Sequence, residues 1–308
     1  MASSPTGPVS PAVPAQSPSG ALSPVPSSAT LAPFDLGRLK ASYPDLSAYR
    51  AACLHLAKAC ERGERFDEAA RFVREIMRCT AQDGSEMTDE EKNLLYLSYK
   101  NIFHKLRGAY KLVARLHYNA VHAPAAGTAT PGAGGVLPAE DKHPALLLDY
   151  RTYMEGQIQA LCSEITQLME NSVIKNTSRT ESKVFFSKLC GDYYRYCSEV
   201  IHDKNVRVNY EKKCFEHYSY ALKLAHAQLP PNHPQRLSIS LNYSVCLYEL
   251  LGDRKQACDL AKNAFDAAIQ KLDELDEAAY KDATLIMQLL RDNLTLWTTT
   301  AQEQQPPK

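Results

Sequence analysis

The chain has 308 residues, 35 Lys+Arg against 35 Asp+Glu, and a hydrophobic fraction of 44%. This length fits one large helical domain or two small ones, with apolar content enough for a sizeable core. Zero net charge argues against a nucleic-acid binder, and no apolar run reaches the ~18 residues that a membrane span needs.

Residues 1–33 carry no charged side chain and eight of the eighteen prolines. Such a stretch buries too little apolar area to offset its ordering entropy and is expected to be disordered. It holds four Ser-Pro steps, at Ser4, Ser10, Ser17 and Ser23, which read as linker composition or as sites for proline-directed kinases. It has neither the basic-then-apolar pattern of a secretory signal nor the arginines of a transit peptide.

From there the chain reads helical, without a useful alternating strand pattern. The predicted helices are 46–61, 65–80, 89–119, 145–171, 179–201, 206–228, 235–251, 254–273 and 277–297. The second is expected to extend a few residues toward Gly84. Thr88 with Glu91, and Ser178 with Glu181, have capping-box spacing. Gly252-Asp253 reads as a stop followed by a start. The Gly/Pro-rich segment 123–141 reads as a flexible insertion, and residues 299–308 as a disordered tail. Nine helices with short connections predict an all-α array of antiparallel pairs.

Nine scattered cysteines without a Cys-x-x-Cys pair predict free thiols packed as small apolar groups in a reducing compartment. The nine histidines have no paired-ligand spacing, so no metal site or cofactor is expected. A nucleophile elbow, a phosphate loop and paired catalytic carboxylates are also missing, so no enzyme is expected.

Cations on otherwise apolar helices are the chemically informative feature. Lys100 and Arg107 are seven residues apart, as are Lys188 and Arg195. Each pair shares a helix face about 10 Å apart along the axis. A cation leaving such a helix needs an anion, and a guanidinium fork suits phosphate oxygens. Tyr196 adds a hydroxyl. Two readings stay open: an anionic ligand, or internal pairing with Asp192 and Glu199, one turn away. Farther on, Leu241, Val245 and Glu249 share a face beside Asn242, and Ile286, Leu289, Asn293 and Leu296 share another beside Trp297. These are helix-packing surfaces with a satisfied amide, or walls whose amides grip an extended peptide backbone.

The segments NLLYLSYKN, SKVFFSKLCGDYYRYCSEV, HPQRLSISLNYSVCLYELL and YKDATLIMQLLRDNLTLWT resemble, in order and spacing, the 14-3-3 family. The resemblance runs from about Asp45 to Trp297, leaving out the insertion. It implies nine antiparallel helices forming a cup with an amphipathic groove, spanning 34–298. It further implies an adaptor that binds phosphoserine or phosphothreonine peptides of client proteins in signalling. Phosphate would be held by Lys100, Arg107, Arg195 and Tyr196, with Lys188 nearby. Asn242 and Asn293 would hold the ligand main chain. Leu241, Val245, Ile286, Leu289, Leu296 and Trp297 would form the apolar wall, with Glu249 a groove acid. The resemblance also implies a dimer with a cytoplasmic location and nuclear access. Here the pairing surface departs from the family pattern. Arg65 is kept, but its acidic partner position is Gln157, the Lys position opposite Glu68 is Tyr153, and a third acid position is Ala52. This predicts a weakened homodimer or a heterodimer with another family member. The alternative to the adaptor is a tetratricopeptide-like scaffold binding peptides without phosphate, although no 34-residue repeat recurs.

Overall fold

Side-chain caps set most helix starts in the computed structural model, which describes residues 34–122 and 143–303. The Ser-Pro steps, the rest of the N-terminal arm, the insertion and residues 304–308 lie outside the described residues. The chain divides into two compact units, Met1–Ser42 and Tyr43–Lys308. In the first, a short helix that the apolar pattern did not predict, α1 (Leu36–Ser42), starts where Asp35 accepts from the Arg38 amide at 3.0 Å.

The second unit holds α2 (Leu46–Arg62), α3 (Phe66–Asp83), α4 (Asp89–His122), α5 (Pro144–Leu168), α6 (Thr180–Val200), α7 (Lys204–Gln228), α8 (Pro234–Glu249), α9 (Arg254–Ile269) and α10 (Glu277–Glu303). These are the nine predicted helices of an all-α fold, and no strand occurs among the described residues. Helices that follow one another in the chain pack as neighbours. α2 packs on α3, α4 on α5, α6 on α7 and α8 on α9, while α10 lies against both α8 and α9.

The Thr88–Glu91 capping box forms in both directions. The Thr88 amide donates to Glu91 at 2.8 Å, and the Glu91 amide donates to the Thr88 hydroxyl at 3.2 Å. Gly252 takes φ 68°, open to glycine at little cost, and Asp253 then caps α9 by accepting from the Gln256 amide at 2.9 Å. Gly84, φ 71°, closes α3 in the same way after Asp83.

Four expected limits differ. Ser178 does not cap α6, because its amide donates to Glu86 of the preceding connection at 2.6 Å and its hydroxyl also bonds Glu86. α6 therefore opens after Arg179, without a side-chain cap. α5 does not end near residue 171 but widens into a π turn, Met169–Val173, and closes with Ile174–Asn176. α9 stops at Ile269, and a separate 3-10 turn, Leu272–Glu274, follows. α10 continues past Trp297 to Glu303, so the start of the expected disordered tail is helical.

All nine cysteines are unpaired thiols, and seven of them are buried. Between α4 and α6 the core is aromatic. Phe103 stacks on Tyr193 with centroids 4.7 Å apart, and Tyr99 tilts against the same ring at 5.9 Å. This packing fixes the two predicted cation-bearing helices side by side.

Candidate functional site: a shared-acid arginine cluster

Arg107 of α4 and Arg195 of α6 meet on one carboxylate. The Arg195 Nη1 donates to Glu199 Oε1 at 2.8 Å, and the Arg107 Nη2 donates to Oε2 of the same residue. Both guanidiniums also lie over Tyr196, with Cζ 4.1 Å from the ring centroid for Arg107 and 4.9 Å for Arg195. Cation–π attraction and the shared acid thus hold two like charges together. The side chains are only 21% and 13% exposed. Each guanidinium nevertheless keeps a buried Nε–H without a hydrogen-bond partner. One carboxylate cannot satisfy two five-donor forks, so donor capacity is left for another anion.

Burial opposes the charge on Arg195, but Tyr218, Asp192, Tyr196 and Glu199 outweigh it, and the group stays cationic. Burial, followed by the Asp192 charge, pushes the Tyr196 phenol up to about 12, so it remains a donor at neutral pH.

A second network lies beside the first. Asp192, 3% exposed, accepts from Lys188 Nζ at 2.8 Å, from Asn242 Nδ2 at 2.7 Å and from the Tyr218 hydroxyl. Burial raises its pKa, but the Lys188 and Arg195 charges and two of these hydrogen bonds more than reverse that, leaving the carboxyl below its ordinary value. One buried acid therefore positions a predicted phosphate-site lysine and a predicted backbone-gripping asparagine. Gly191 permits this arrangement. A Cβ there would stand 2.6 Å from the Tyr218 ring, so only glycine lets α7 approach closely enough for Tyr218 to reach Asp192.

The remaining predicted residues are placed as follows. Lys100 is exposed on α4, its Nζ 5.5 Å from the Tyr96 ring centroid, and it makes no ion pair among the described residues. It is not drawn onto Glu199 as Arg107 is. Leu241 and Val245 are half-buried on α8, and Glu249 is exposed at its end. On α10, Ile286 and Asn293 are half-buried, while Leu289 and Leu296 are 45% and 62% exposed. Leu285, 64% exposed, extends that apolar stripe. Trp297 does not line the stripe openly. It is buried, stacked on Tyr248 of α8 with centroids 4.6 Å apart.

Sequence reasoning named Asp192 and Glu199 only as internal pairing partners of Arg195. Glu199 in fact joins two helices, and Asp192 serves Lys188 and Asn242. Gly191 and Tyr218 were not singled out. The only signal was a glycine directly before the acid in a helix of large side chains.

The 14-3-3 protein family profile matches residues 56–298. The chain is 38% identical over 256 residues to 14-3-3 protein 3 of Entamoeba histolytica, covering 83% of this chain and 98% of the relative. It is 40% identical over 255 residues to 14-3-3-like protein D of Nicotiana tabacum, covering 83% and 95%. Against 14-3-3 protein beta/alpha-1 of Oncorhynchus mykiss the identity is 39% over 246 residues, covering 80% and 92%.

Proposed function

This chain belongs to the 14-3-3 family, and from that premise we propose that it is an adaptor binding phosphoserine or phosphothreonine peptides of client proteins. The observation that carries the reading is the pair of guanidiniums from two helices that share one carboxylate, Glu199, and lie over one ring, Tyr196. A phosphate of about −1.5 to −2 charge at pH 7 supplies acceptors for the guanidinium donors that one carboxylate leaves over. Each charge-assisted bond contributes roughly 1.5–3 kcal/mol, and a neutral serine forms none of them. Arg107, Arg195 and Tyr196 form the centre of the site. Lys188 and Lys100 add charge at its margins, Lys100 by swinging from Tyr96. Asn242 and Asn293 hold the peptide main chain. Leu241, Val245, Ile286, Leu289 and Leu296 offer apolar contact, with Trp297 as a rigid backing and Glu249 as a groove acid.

The role is binding rather than catalysis, and the partners are phosphorylated proteins and a second family member. No helix among the described residues is long and apolar enough to cross a membrane. Family membership is the ground for proposing action in the cytoplasm with nuclear access. On the proposed pairing surface, neutral Gln157, Tyr153 and Ala52 stand where the family pattern has charges, so cross-subunit ion pairs are depleted. Within the chain Arg65 donates to Glu68 at 2.9 Å, and Gln157 donates to the Tyr153 hydroxyl at 2.9 Å. Exposed ion pairs are worth about 0–1 kcal/mol, so their loss weakens self-pairing without abolishing it.

Fluorescence anisotropy with a phosphoserine peptide and its unmodified twin tests the adaptor reading. Binding of the phosphorylated form alone is expected. Equal affinity for both would replace this reading with the phosphate-independent scaffold.

A further inference from the structure

Three side chains of metal-ligating type that no local spacing connects converge at the junction of α5, α6 and α7. Glu170 lies in the π turn that follows α5, Cys190 on α6 and His217 on α7. Their carboxylate oxygen, thiol sulfur and ring nitrogen lie within 4.8 Å of one another. Cys190 and Arg195 are five residues apart on one helix, about 140° around its axis, so this cluster faces away from the arginine site.

The surroundings suit a bound cation. Glu170 Oε1 lies 2.9 Å from His217 Nε2 and accepts from the Tyr194 hydroxyl at 2.6 Å. The His217 ring stacks on Tyr194 with centroids 5.6 Å apart, so one aromatic orients both groups. A cavity of about 240 Å³ adjoins them, lined by Glu170, Ile174, Ser187, Glu216, His217 and Tyr220. Ser187 is one helical turn before Cys190 and 1% exposed, and its hydroxyl has no hydrogen-bond partner. A buried hydroxyl of that kind calls for a water or a ligand in the cavity.

We propose that Glu170, Cys190 and His217 form a zinc site, with a water in the adjoining cavity as the fourth ligand. The mixed sulfur, nitrogen and oxygen donors match zinc better than magnesium or calcium, which take oxygen. Tetrahedral zinc bonds of about 2.0–2.3 Å place ligand atoms roughly 3.3–3.8 Å apart, so the longest edge contracts by about 1 Å. Binding releases the Cys190 thiol proton, and the resulting thiolate and the Glu170 carboxylate together balance the dication. Lys213 Nζ lies 3.8 Å from Glu170 Oε2 and 5.9 Å from the Tyr194 ring centroid; its side chain is 49% exposed, so a bound cation would displace it toward solvent. Cys190 is fully buried, whereas His217 and Glu170 are 16% and 23% exposed, so the metal would enter from their side.

Cobalt(II) is the probe, titrated into the full chain without a polyhistidine tag and with thiols reduced. One saturable equivalent is expected, with a thiolate-to-cobalt charge-transfer band and the visible bands of tetrahedral cobalt, displaced by zinc. Cys190→Ser should abolish the charge-transfer band. His217→Ala should lower affinity roughly tenfold or more. Zinc should raise the melting temperature of the natural chain but not of Cys190→Ser. If circular dichroism finds Cys190→Ser unfolded, the near-isosteric Glu170→Gln carries the test, with the same tenfold loss expected. The proposal is overturned if the natural chain gives no saturable spectrum, if the charge-transfer band persists in a folded Cys190→Ser, or if Glu170→Gln binds normally.

Discussion

Replacing Asp192 by Asn should damage stability and ligand binding together. The carboxylate is buried, with side-chain exposure of 5%, and its Lys188 partner is 15% exposed. At their 2.8 Å separation, an effective dielectric of about 20 gives a gross attraction of about 6 kcal/mol. Desolvation consumes part of this, and removing one partner of a buried pair typically costs about 3–5 kcal/mol. Asn is isosteric and still accepts one bond, but its NH2 would face donors from Lys188 or Asn242. A loss of about 3 kcal/mol is therefore expected. With a urea dependence of about 3 kcal/mol per M, the unfolding midpoint falls by roughly 1 M. Adding Lys188→Met to Asp192→Asn removes the stranded cation and should recover part of the loss. Phosphopeptide affinity should also fall in the single variant, because Asn242 loses its anchor. The pH dependence has a definite sign. The folded pKa of Asp192 lies below its unfolded value, so its contribution is complete above the unfolded pKa of about 3.9 and is lost as pH falls through the folded one. Asp192→Asn should flatten that acid limb. Circular dichroism during urea and acid titrations measures both effects. An unchanged midpoint, or a double variant no more stable than the single one, would refute the buried-pair argument.

Two further outcomes follow from the packing and the surface. Gly191→Ala places a methyl 2.6 Å from the buried Tyr218 ring and should destabilise by about 1–3 kcal/mol, read as a lower melting temperature in calorimetry; an unchanged value would mean that α7 yields there. Sedimentation at micromolar concentration should find the chain alone in reversible dissociation, because neutral Gln157, Tyr153 and Ala52 leave the pairing surface short of cross-subunit ion pairs; a tight homodimer would contradict this.

Much of the fold was legible in the sequence because apolar spacing and glycine stops act locally. Thr88–Glu91 and Gly252-Asp253 behave as their spacing predicts. Ser178 does not, because Glu86, 92 residues away in sequence, competes for it. The π turn at Met169–Val173 is likewise a feature of packing that periodicity does not record. At the site, the seven-residue spacing of cations located two helix faces. It could not tell that Arg107 and Arg195 share one acid while Lys100 stays outside it. Trp297 could be assigned to its helix, but its stacking on Tyr248 is a tertiary contact without a local signature.

The central claim is that the guanidiniums of Arg107 and Arg195 hold a phosphate jointly. Isothermal titration of one phosphoserine peptide into the natural chain, Arg107→Ala and Arg195→Ala tests it most directly. Loss of one or two charge-assisted bonds should weaken binding by roughly tenfold to a hundredfold or more in each variant, with helicity unchanged. Folded variants that bind the peptide as tightly as the natural chain would contradict it.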